Sequence, residues 1–254
     1  TQMWQEMLFL PSVRRAEKEH RRKVEEVIEF LDLQAYRDKL IAGLPYGVRK
    51  VIEVARALCS EPKLILLDEP SSGLNVEETD DMSFWIRDIR TELGITVLMV
   101  EHDAGEPGFR PGSGAQLRQG AGDRHARRGA GAPRRDRGLS RRLSGVPMPL
   151  DAHASDDVIL RVSNIESYYG PIMAIRGVSL AVPRGKIITV LGANGAGKTT
   201  ILKTISGVLD PQKGTVEFEG KPIQRMDADR IVRLGLSHVP EGREVFPFLS
   251  VREN

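Results

Sequence analysis

The sequence predicts an α/β fold with a parallel core sheet, and three observations point to it. Short apolar runs alternate with helical patterns in both end regions of the chain, as in sheets that are covered by helices on both faces. One such run, residues 64–67, ends in the carboxylates Asp68 and Glu69. A glycine-rich segment, residues 192–199, lies between another apolar run and a helical pattern. The glycine-rich segment usually precedes the carboxylates in such folds, so the order here is permuted.

The first region predicts helices and buried strands in alternation. Apolar residues recur at helical spacing among charged ones, and Gly and Pro mark the breaks. The predicted elements are a helix over 13–35, a break at 43–47, a helix over 48–59, a strand over 63–67, a helix over 77–92 and a strand over 95–100.

The last region predicts a strand-rich segment before the glycine-rich loop and more alternation after it. The predicted elements are strands over 158–162, 174–182 and 186–191, a helix over 198–207, a strand over 214–219, a helix over 227–233 and a strand over 236–239.

The middle of the chain differs in composition from both ends. Residues 104–147 carry a net charge of +7, against −6 for residues 1–103 and +1 for residues 148–254. The stretch is mostly Arg, Gly, Ala and Pro, lacks Lys, and has too little apolar surface to form a core. An Arg/Gly-rich nucleic-acid arm and a disordered linker are two interpretations. A third interpretation, translation out of frame, is favoured, because a GC-rich gene that is read out of frame yields Arg without Lys.

The composition also bears on disulfide bonds and on membrane-spanning helices. Cys59 is the single cysteine, so no internal disulfide can form, and this fits a reducing compartment. No apolar run reaches the roughly 18 residues that a membrane-spanning helix needs.

The segment 192–199 has the form G-x-x-x-x-G-K-T and stands between a predicted strand and a predicted helix. Such a loop turns its backbone N–H groups toward phosphates, Lys198 brings a positive charge to them, and the Thr199 hydroxyl is placed to bind Mg²⁺. The sequence therefore predicts the phosphates of a nucleotide and Mg²⁺ as ligands.

Asp68 and Glu69 end a buried strand, where adjacent acids are costly unless they serve a cation or a proton transfer. We expect Asp68 to help hold Mg²⁺ and Glu69 to act as the general base on water. Taken alone, Asp-Glu-Pro would also suit a simple turn cap.

With these motifs in place, the chain resembles the ATP-binding subunits of ABC transporters everywhere except in its middle. "LILLDEP", "SSGLN" and "VEHD" resemble the Walker B strand, the D-loop and the switch histidine, and "LGANGAGKTT" resembles the Walker A loop. The resemblance implies a P-loop NTPase fold of the ABC ATPase type, with an antiparallel β subdomain and part of a helical subdomain.

The resemblance also implies roles for single residues. His102 would contact the γ-phosphate and Tyr169 would stack on adenine, although each also suits an ordinary position at a strand end or in a half-buried strand. The nucleotide would be bound by Gly192, Ala193, Asn194, Gly195, Ala196, Gly197, Lys198, Thr199 and Thr200.

Two motifs resemble the subfamily that imports branched-chain amino acids. "LPYG" stands where the family has its signature, and only Leu44 and Gly47 agree with it; Pro45 replaces the serine that binds the γ-phosphate. Glu241 in "VPEGR" occupies the Q-loop position, where a carboxylate would still reach Mg²⁺ through water.

The two regions resemble halves of two sister subunits. Residues 1–103 look like the later half of one ATPase, and residues 158–254 look like the first half of the other, joined by a linker over 104–157. Met148 is a plausible start of the second gene. We expect the strand at 63–67 to lie beside the strand at 186–191, which would bring Asp68 and Glu69 next to Lys198 and Thr199.

The expected function is ATP hydrolysis that powers the import of branched-chain amino acids at the cytoplasmic face of the cell membrane. The expected partners are permease subunits, contacted by the helical region and residues 245–248, and a second ATPase subunit. A non-catalytic fusion fragment is the alternative. An RNA-binding NTPase is more distant, and nucleic acid is not an expected partner.

Overall fold

The computed structural model describes residues 11–102, 116–117, 157–242 and 245–254, of which 11, 12, 102, 116 and 117 are described by their backbone alone. The chain divides into two compact units, one made of residues 1–61 and 243–254 and the other of residues 62–242. Each unit therefore combines residues from the first and the last region of the sequence.

The smaller unit contains the helices α1 (Pro11–Phe30) and α2 (Tyr46–Leu58). Ile28 on α1 and Ile52 on α2 are buried, as the helical spacing of apolar residues predicts. The first helix ends earlier than the predicted residue 35, because Asp32 takes the left-handed conformation, with φ +56°.

The C-terminal segment closes this unit by pairing with the chain between the two helices. Leu40 and Ser250 form an antiparallel bridge. The Ile41 N–H donates to the Leu249 carbonyl at 3.2 Å, and the Val251 N–H donates to the Lys39 carbonyl at 3.2 Å. Backbone hydrogen bonds thus tie residues that lie about two hundred positions apart in sequence.

The larger unit alternates strands and helices. Its elements in chain order are β1 (Leu64–Asp68), α3 (Val76–Thr91), β2 (Thr96–His102), β3 (Gln116–Leu117), β4 (Val158–Tyr169), β5 (Ile172–Pro183), β6 (Ile187–Gly192), α4 (Lys198–Ile205), β7 (Lys213–Phe218), β8 (Lys221–Pro222), α5 (Ala228–Leu234) and β9 (Leu236–Val239).

The parallel core sheet has the strand order β3-β6-β2-β1-β9. All five residues of β1 are buried, as a central parallel strand requires. The α/β fold with a parallel core sheet is therefore confirmed, and strands from both regions share this sheet. The expected direct contact between β1 and β6 is wrong, because β2 lies between them and pairs with both.

An antiparallel sheet with the order β5-β4-β7-β8 forms the second layer of this unit, as the sequence resemblance implies. Its apolar residues share one core with the parallel sheet and with helices α4 and α5. Phe218 on β7, Leu202 on α4 and Leu98 on β2 are among the fully buried members. Because β6 and α4 both contribute to this core, it supports the loop that connects them.

Most of the Arg/Gly-rich stretch lies outside the described residues. Within it, Gln116–Leu117 pairs in parallel with Thr189–Val190 of β6. The interpretations of the remainder of that stretch stay predictions.

Candidate nucleotide site

The glycine-rich loop connects the end of β6 to the start of α4, as predicted. Gly195 and Gly197 both have left-handed backbones, with φ of +77° and +90°. A Cβ atom at Gly197 would lie 2.5 Å from Cγ2 of Ile175, so only glycine fits there. The loop therefore curls tightly before α4, whose N-terminal N–H groups carry partial positive charge that suits an anion.

Lys198, the first residue of α4, is buried beside this loop. Its Nζ donates to the carbonyls of Gly192 at 2.9 Å and Ala193 at 3.1 Å. The same Nζ lies 3.4 Å from Oε1 of Glu69. Both side chains of this ion pair are almost fully buried, so water screens their attraction only weakly.

Asp68 meets the loop through the next residue of α4. Oγ1 of Thr199 donates to Oδ1 of Asp68 at 3.1 Å. The other carboxylate oxygen, Oδ2, is buried without a hydrogen-bond partner among the described residues. Burial raises the pKa of Asp68 above its ordinary value, and the negative charges of Glu241 and Glu69 act in the same direction against the bond from Thr199.

These oxygen atoms fit a hard divalent cation. Mg²⁺ prefers carboxylate, hydroxyl and water oxygens, and an unpartnered buried carboxylate oxygen has an unmet need for a positive charge or a donor. Asp68 and Thr199 supply both ligand types at one point, next to a helix N-terminus. The residues present thus suit magnesium together with a polyphosphate.

Glu69 follows β1 in a conformation that few residues other than glycine adopt. Its φ is +50°, which costs of the order of 1 kcal/mol for a residue with a Cβ atom. Its N–H donates to the Val100 carbonyl of β2 at 3.1 Å. This turn directs the carboxylate of Glu69 toward Lys198.

A cleft of about 730 Å³ opens over the loop and over Glu69, which follows the end of β1. Tyr169 and Met173, from the β4–β5 hairpin, contribute apolar surface to it, and the Tyr169 side chain is about half exposed. The lining residues are Glu69, Ser72, Tyr169, Met173, Ala174, Asn194, Gly195, Gly197, Lys198, Thr199, Thr200 and Glu241.

The structure thus brings together most of the residues that the sequence analysis singled out. Asp68 is not among the lining residues, but it accepts a hydrogen bond from Thr199, which lines the cleft. Gly192 and Ala193 act through their carbonyls on Lys198, and Ala196 lies within the loop, its N–H bonded to Ala193.

Besides Asp68, Gly192, Ala193 and Ala196, three further predicted residues are not among those that line the cleft. The His102 backbone lies beside Gly192 at the end of β2, and its side chain is outside what the structure describes. Leu44 and Gly47 belong to the smaller unit, where both are buried at the start of α2. Their roles stay predictions.

Sequence reasoning did not predict four residues of this region as site residues, namely Ser72, Met173, Ala174 and Glu101. Met173 and Ala174 line the cleft, and an apolar strand pattern gave no sign of that. Glu101 is buried and accepts a hydrogen bond from the Ser71 N–H at 3.2 Å. The signal for Glu101 was available, since an acid at the end of an apolar strand is unusual.

The chain is similar in sequence to proteins of known family. The sequence profile of the ABC transporter family matches residues 2–72 and 175–254. A high-affinity branched-chain amino acid transport ATP-binding protein, BraG of Pseudomonas aeruginosa, is 41% identical over 96 residues, which cover 38% of this chain and 41% of the relative. The xylose import ATP-binding protein XylG of Shigella flexneri is 26% identical over 244 residues, which cover 91% of this chain and 47% of the relative.

The chain thus spans less than half the length of these two relatives. Among solved structures, a nucleotide-free ATP-binding cassette from an ABC transporter is 38% identical with a TM-score of 0.29, and covers 29% of each chain. The protein cbiO1 from Clostridium perfringens is 32% identical with a TM-score of 0.27, and covers 31% of each chain.

Among the described residues, no helix is both long and apolar enough to span a membrane. The family profile covers more than half of the chain, and its two matched segments contain the acidic strand end and the glycine-rich loop. The chain belongs to the ABC transporter family.

Proposed function

We propose that this chain binds ATP with Mg²⁺ in the cleft beside Lys198 and hydrolyses it, as the nucleotide-binding part of an ABC importer. The observation that carries the proposal is the contact between Thr199 and Asp68 at 3.1 Å, with a buried, unpartnered carboxylate oxygen on Asp68. One residue from the first region of the sequence and one from the last thereby form one oxygen site at a helix N-terminus.

Each residue of the cleft has a distinct role in this proposal. The loop N–H groups and Lys198 bind the β- and γ-phosphates. Bound Mg²⁺ would neutralise charge that builds on the phosphate oxygens. Asp68 and Thr199 are the residues that would hold the ion, with Glu241 acting through water. Tyr169 stacks on the adenine from the cleft's rim.

Glu69 accepts a proton from the attacking water. Its carboxylate is paired with Lys198 at 3.4 Å, so an incoming phosphate competes with Glu69 for the lysine. Once Lys198 turns to the phosphate, the Glu69 carboxylate can accept a hydrogen bond from the attacking water. His102, the last residue of β2, contacts the γ-phosphate in this proposal.

The proposed cargo is branched-chain amino acids. The "LPYG" and "VPEGR" segments and the similarity to BraG, a branched-chain amino acid transport protein, support this choice. The similarity to XylG, a xylose import protein, extends over more of the chain and favours a sugar as the second candidate.

The proposed partners are membrane permease subunits and a second ATPase subunit, on the cytoplasmic side of the membrane. In the smaller unit, Phe246 and Phe248 have exposed fractions of 57% and 84%. Exposed aromatic side chains of this kind suit a protein contact. Arg56 lies over the Phe246 ring, 5.1 Å from its centroid.

A non-catalytic nucleotide-binding fusion is the second candidate function. Pro45 at the signature position favours it, because proline offers neither a hydroxyl nor an N–H to a phosphate. Binding of ATP without turnover would identify this case. RNA binding through the basic middle would instead require salt-sensitive affinity for RNA.

The test is titration of the full chain with a fluorescent ATP analogue and Mg²⁺. Lys198→Ala should weaken binding about 30- to 150-fold, because it removes a charged hydrogen-bond donor to the phosphates. Lys203→Ala removes the same charge from the next turn of α4, outside the cleft lining, and should stay within about threefold of the wild type. Equal affinity of Lys198→Ala and the wild type would overturn the proposal.

A further inference from the structure

Glu101 is a buried acid that the proposed chemistry does not use. It follows Val100 at the carboxyl end of β2, where Glu101 pairs with Leu191 of β6. Its side chain is 7% exposed, and it is not among the described residues that line the cleft. A buried carboxylate is costly unless its oxygens accept strong hydrogen bonds, so its position requires an explanation.

The contact of Glu101 leads to the turn that carries Glu69. Oε1 of Glu101 accepts the backbone N–H of Ser71 at 3.2 Å. Ser71 lies two residues after Glu69, inside a turn whose own bonds run from the Ser72 N–H to the Glu69 carbonyl at 3.1 Å and from the Leu74 N–H to the Ser71 carbonyl at 3.2 Å. A side chain of β2 thus holds the middle of the turn against the sheet.

The turn needs an external anchor because its first residue is strained. Glu69 has φ +50°, a conformation that surrounding contacts must maintain. Its N–H is bonded to Val100 of β2, immediately before Glu101. Two consecutive residues of β2 therefore hold the turn at two points, one through a backbone carbonyl and one through a carboxylate.

β2 also borders the phosphate loop. The strand lies between β1 and β6, and the next residue after Glu101 pairs with Gly192, where the loop begins. An anchor on this strand fixes the distance between the turn of Glu69 and the loop of Lys198. Small displacements of a general base reduce turnover strongly.

We propose that Glu101 is a positioning residue that holds the Glu69–Leu74 turn so that Glu69 faces the phosphate loop. The proposal rests on the proposed function for its effect on turnover, and on geometry alone for the anchor. It predicts that loss of the acceptor matters more than loss of the charge, since a glutamine oxygen can still accept the Ser71 N–H.

Hydrogen exchange of the full chain tests the anchor without reference to activity. Glu101→Leu removes the acceptor, and exchange at Ser71 should rise at least about tenfold while exchange in residues 192–200 stays unchanged. Glu101→Gln should stay within about threefold of the wild type at Ser71. Glu217→Leu on β7, the matched control, should not change exchange at Ser71. Unchanged exchange at Ser71 in Glu101→Leu would overturn the anchor.

Turnover and affinity test its consequence. In Glu101→Leu, kcat should fall at least about tenfold with KM and the affinity for the fluorescent ATP analogue unchanged, and Glu101→Gln should restore most of kcat. Faster exchange at Ser71 with full turnover would overturn the positioning role. A wild-type chain that binds no nucleotide would refute the proposed function instead, and the exchange measurement would still decide the anchor.

Discussion

At the cleft, neighbouring residues determine which bonds each side chain can still make to a ligand. Lys198 is shared between two loop carbonyls and Glu69, and Asp68 has one oxygen bonded to Thr199 and one without a partner. This arrangement suits the proposed ligand, which supplies both negative phosphates and a positive ion. Two changes at this scale give measurable outcomes.

Glu69→Gln should lower kcat at least about 100-fold, because an amide cannot take the proton from water. The same change frees Lys198 from its ion pair, so affinity for ATP should stay equal or become tighter. Kinetics and titration with the fluorescent analogue measure both quantities, and Glu77→Gln on the exposed surface of α3 serves as the control. Full turnover would identify a different base, and weaker binding would contradict the competition for Lys198.

His238 on β9 predicts a pH dependence of stability. Burial, and then the charge of Lys203, lower its pKa to about 4, its Nδ1 lies 3.0 Å from Oγ of Ser206, and Nε2 is buried without a partner among the described residues. The unfolded chain takes up a proton near the ordinary pKa of 6.5, whereas the folded chain does not. The contribution to stability is therefore complete above pH 6.5 and decreases as the pH falls toward 4.

Between pH 7.5 and pH 5, His238 should thus lower the free energy of unfolding by about 2 kcal/mol. Denaturant titrations at both pH values measure this loss. His238→Phe lacks the titrating group, so its loss over the same interval should be smaller by that amount. An equal loss in both proteins would show that His238 does not titrate differently on folding.

At the scale of elements, the helix α3 shows how a local signal fixes a boundary. Asn75 accepts the Glu78 N–H at 2.9 Å and Glu78 accepts the Asn75 N–H at 3.1 Å, which is a capping box at the start of the helix. The element also begins directly after the turn of Glu69. The capped first turn of α3 therefore stabilises the end of the Glu69–Leu74 turn.

Asn75→Ala should lower the free energy of unfolding by about 1 kcal/mol, because it removes the capping acceptor. Asn75→Asp keeps an acceptor in the same place and should remain within about 0.5 kcal/mol of the wild type. Denaturant unfolding monitored by circular dichroism compares the three proteins. Equal stability of Asn75→Ala and the wild type would show that the cap contributes nothing.

The sequence predicts where the strands and helices lie along the chain better than it predicts which strands pair with each other. The spacing of apolar residues places β1 and β9 to within one residue, and the glycine-rich pattern places the loop between β6 and α4. The order of strands in a sheet depends on long-range packing, which no local pattern records. For that reason β2 between β1 and β6 was not predicted, nor was the bond from Glu101 to Ser71, which joins residues thirty positions apart.

At the scale of the whole molecule, neither end region forms a unit alone. The smaller unit joins residues 37–42 to the C-terminal segment, and the parallel sheet joins β1 and β2 to β6 and β9. An ionic cluster adds to this connection in the larger unit, where Glu219 bridges Lys63 at 2.6 Å and Arg184 at 3.0 Å.

Limited trypsin digestion should therefore cut first between Arg124 and Arg142, in the basic stretch, and the two fragments should remain together. Apolar burial and backbone pairing between the two regions hold them without the connection. Size-exclusion chromatography of the digest in native buffer should give one peak, and the same digest in denaturant should give two. Separate peaks in native buffer, or first cleavage within α1, would contradict this expectation.

The strand order also has a consequence for synthesis. β1 and β2 leave the ribosome first, and their outer neighbours β9 and β6 follow more than eighty residues later. Until then this pair exposes two open edges and apolar faces, a state that favours association with other chains. The sheet therefore becomes complete only after β9 has been synthesised, and a cell that makes this protein has to shield the early strands during that interval.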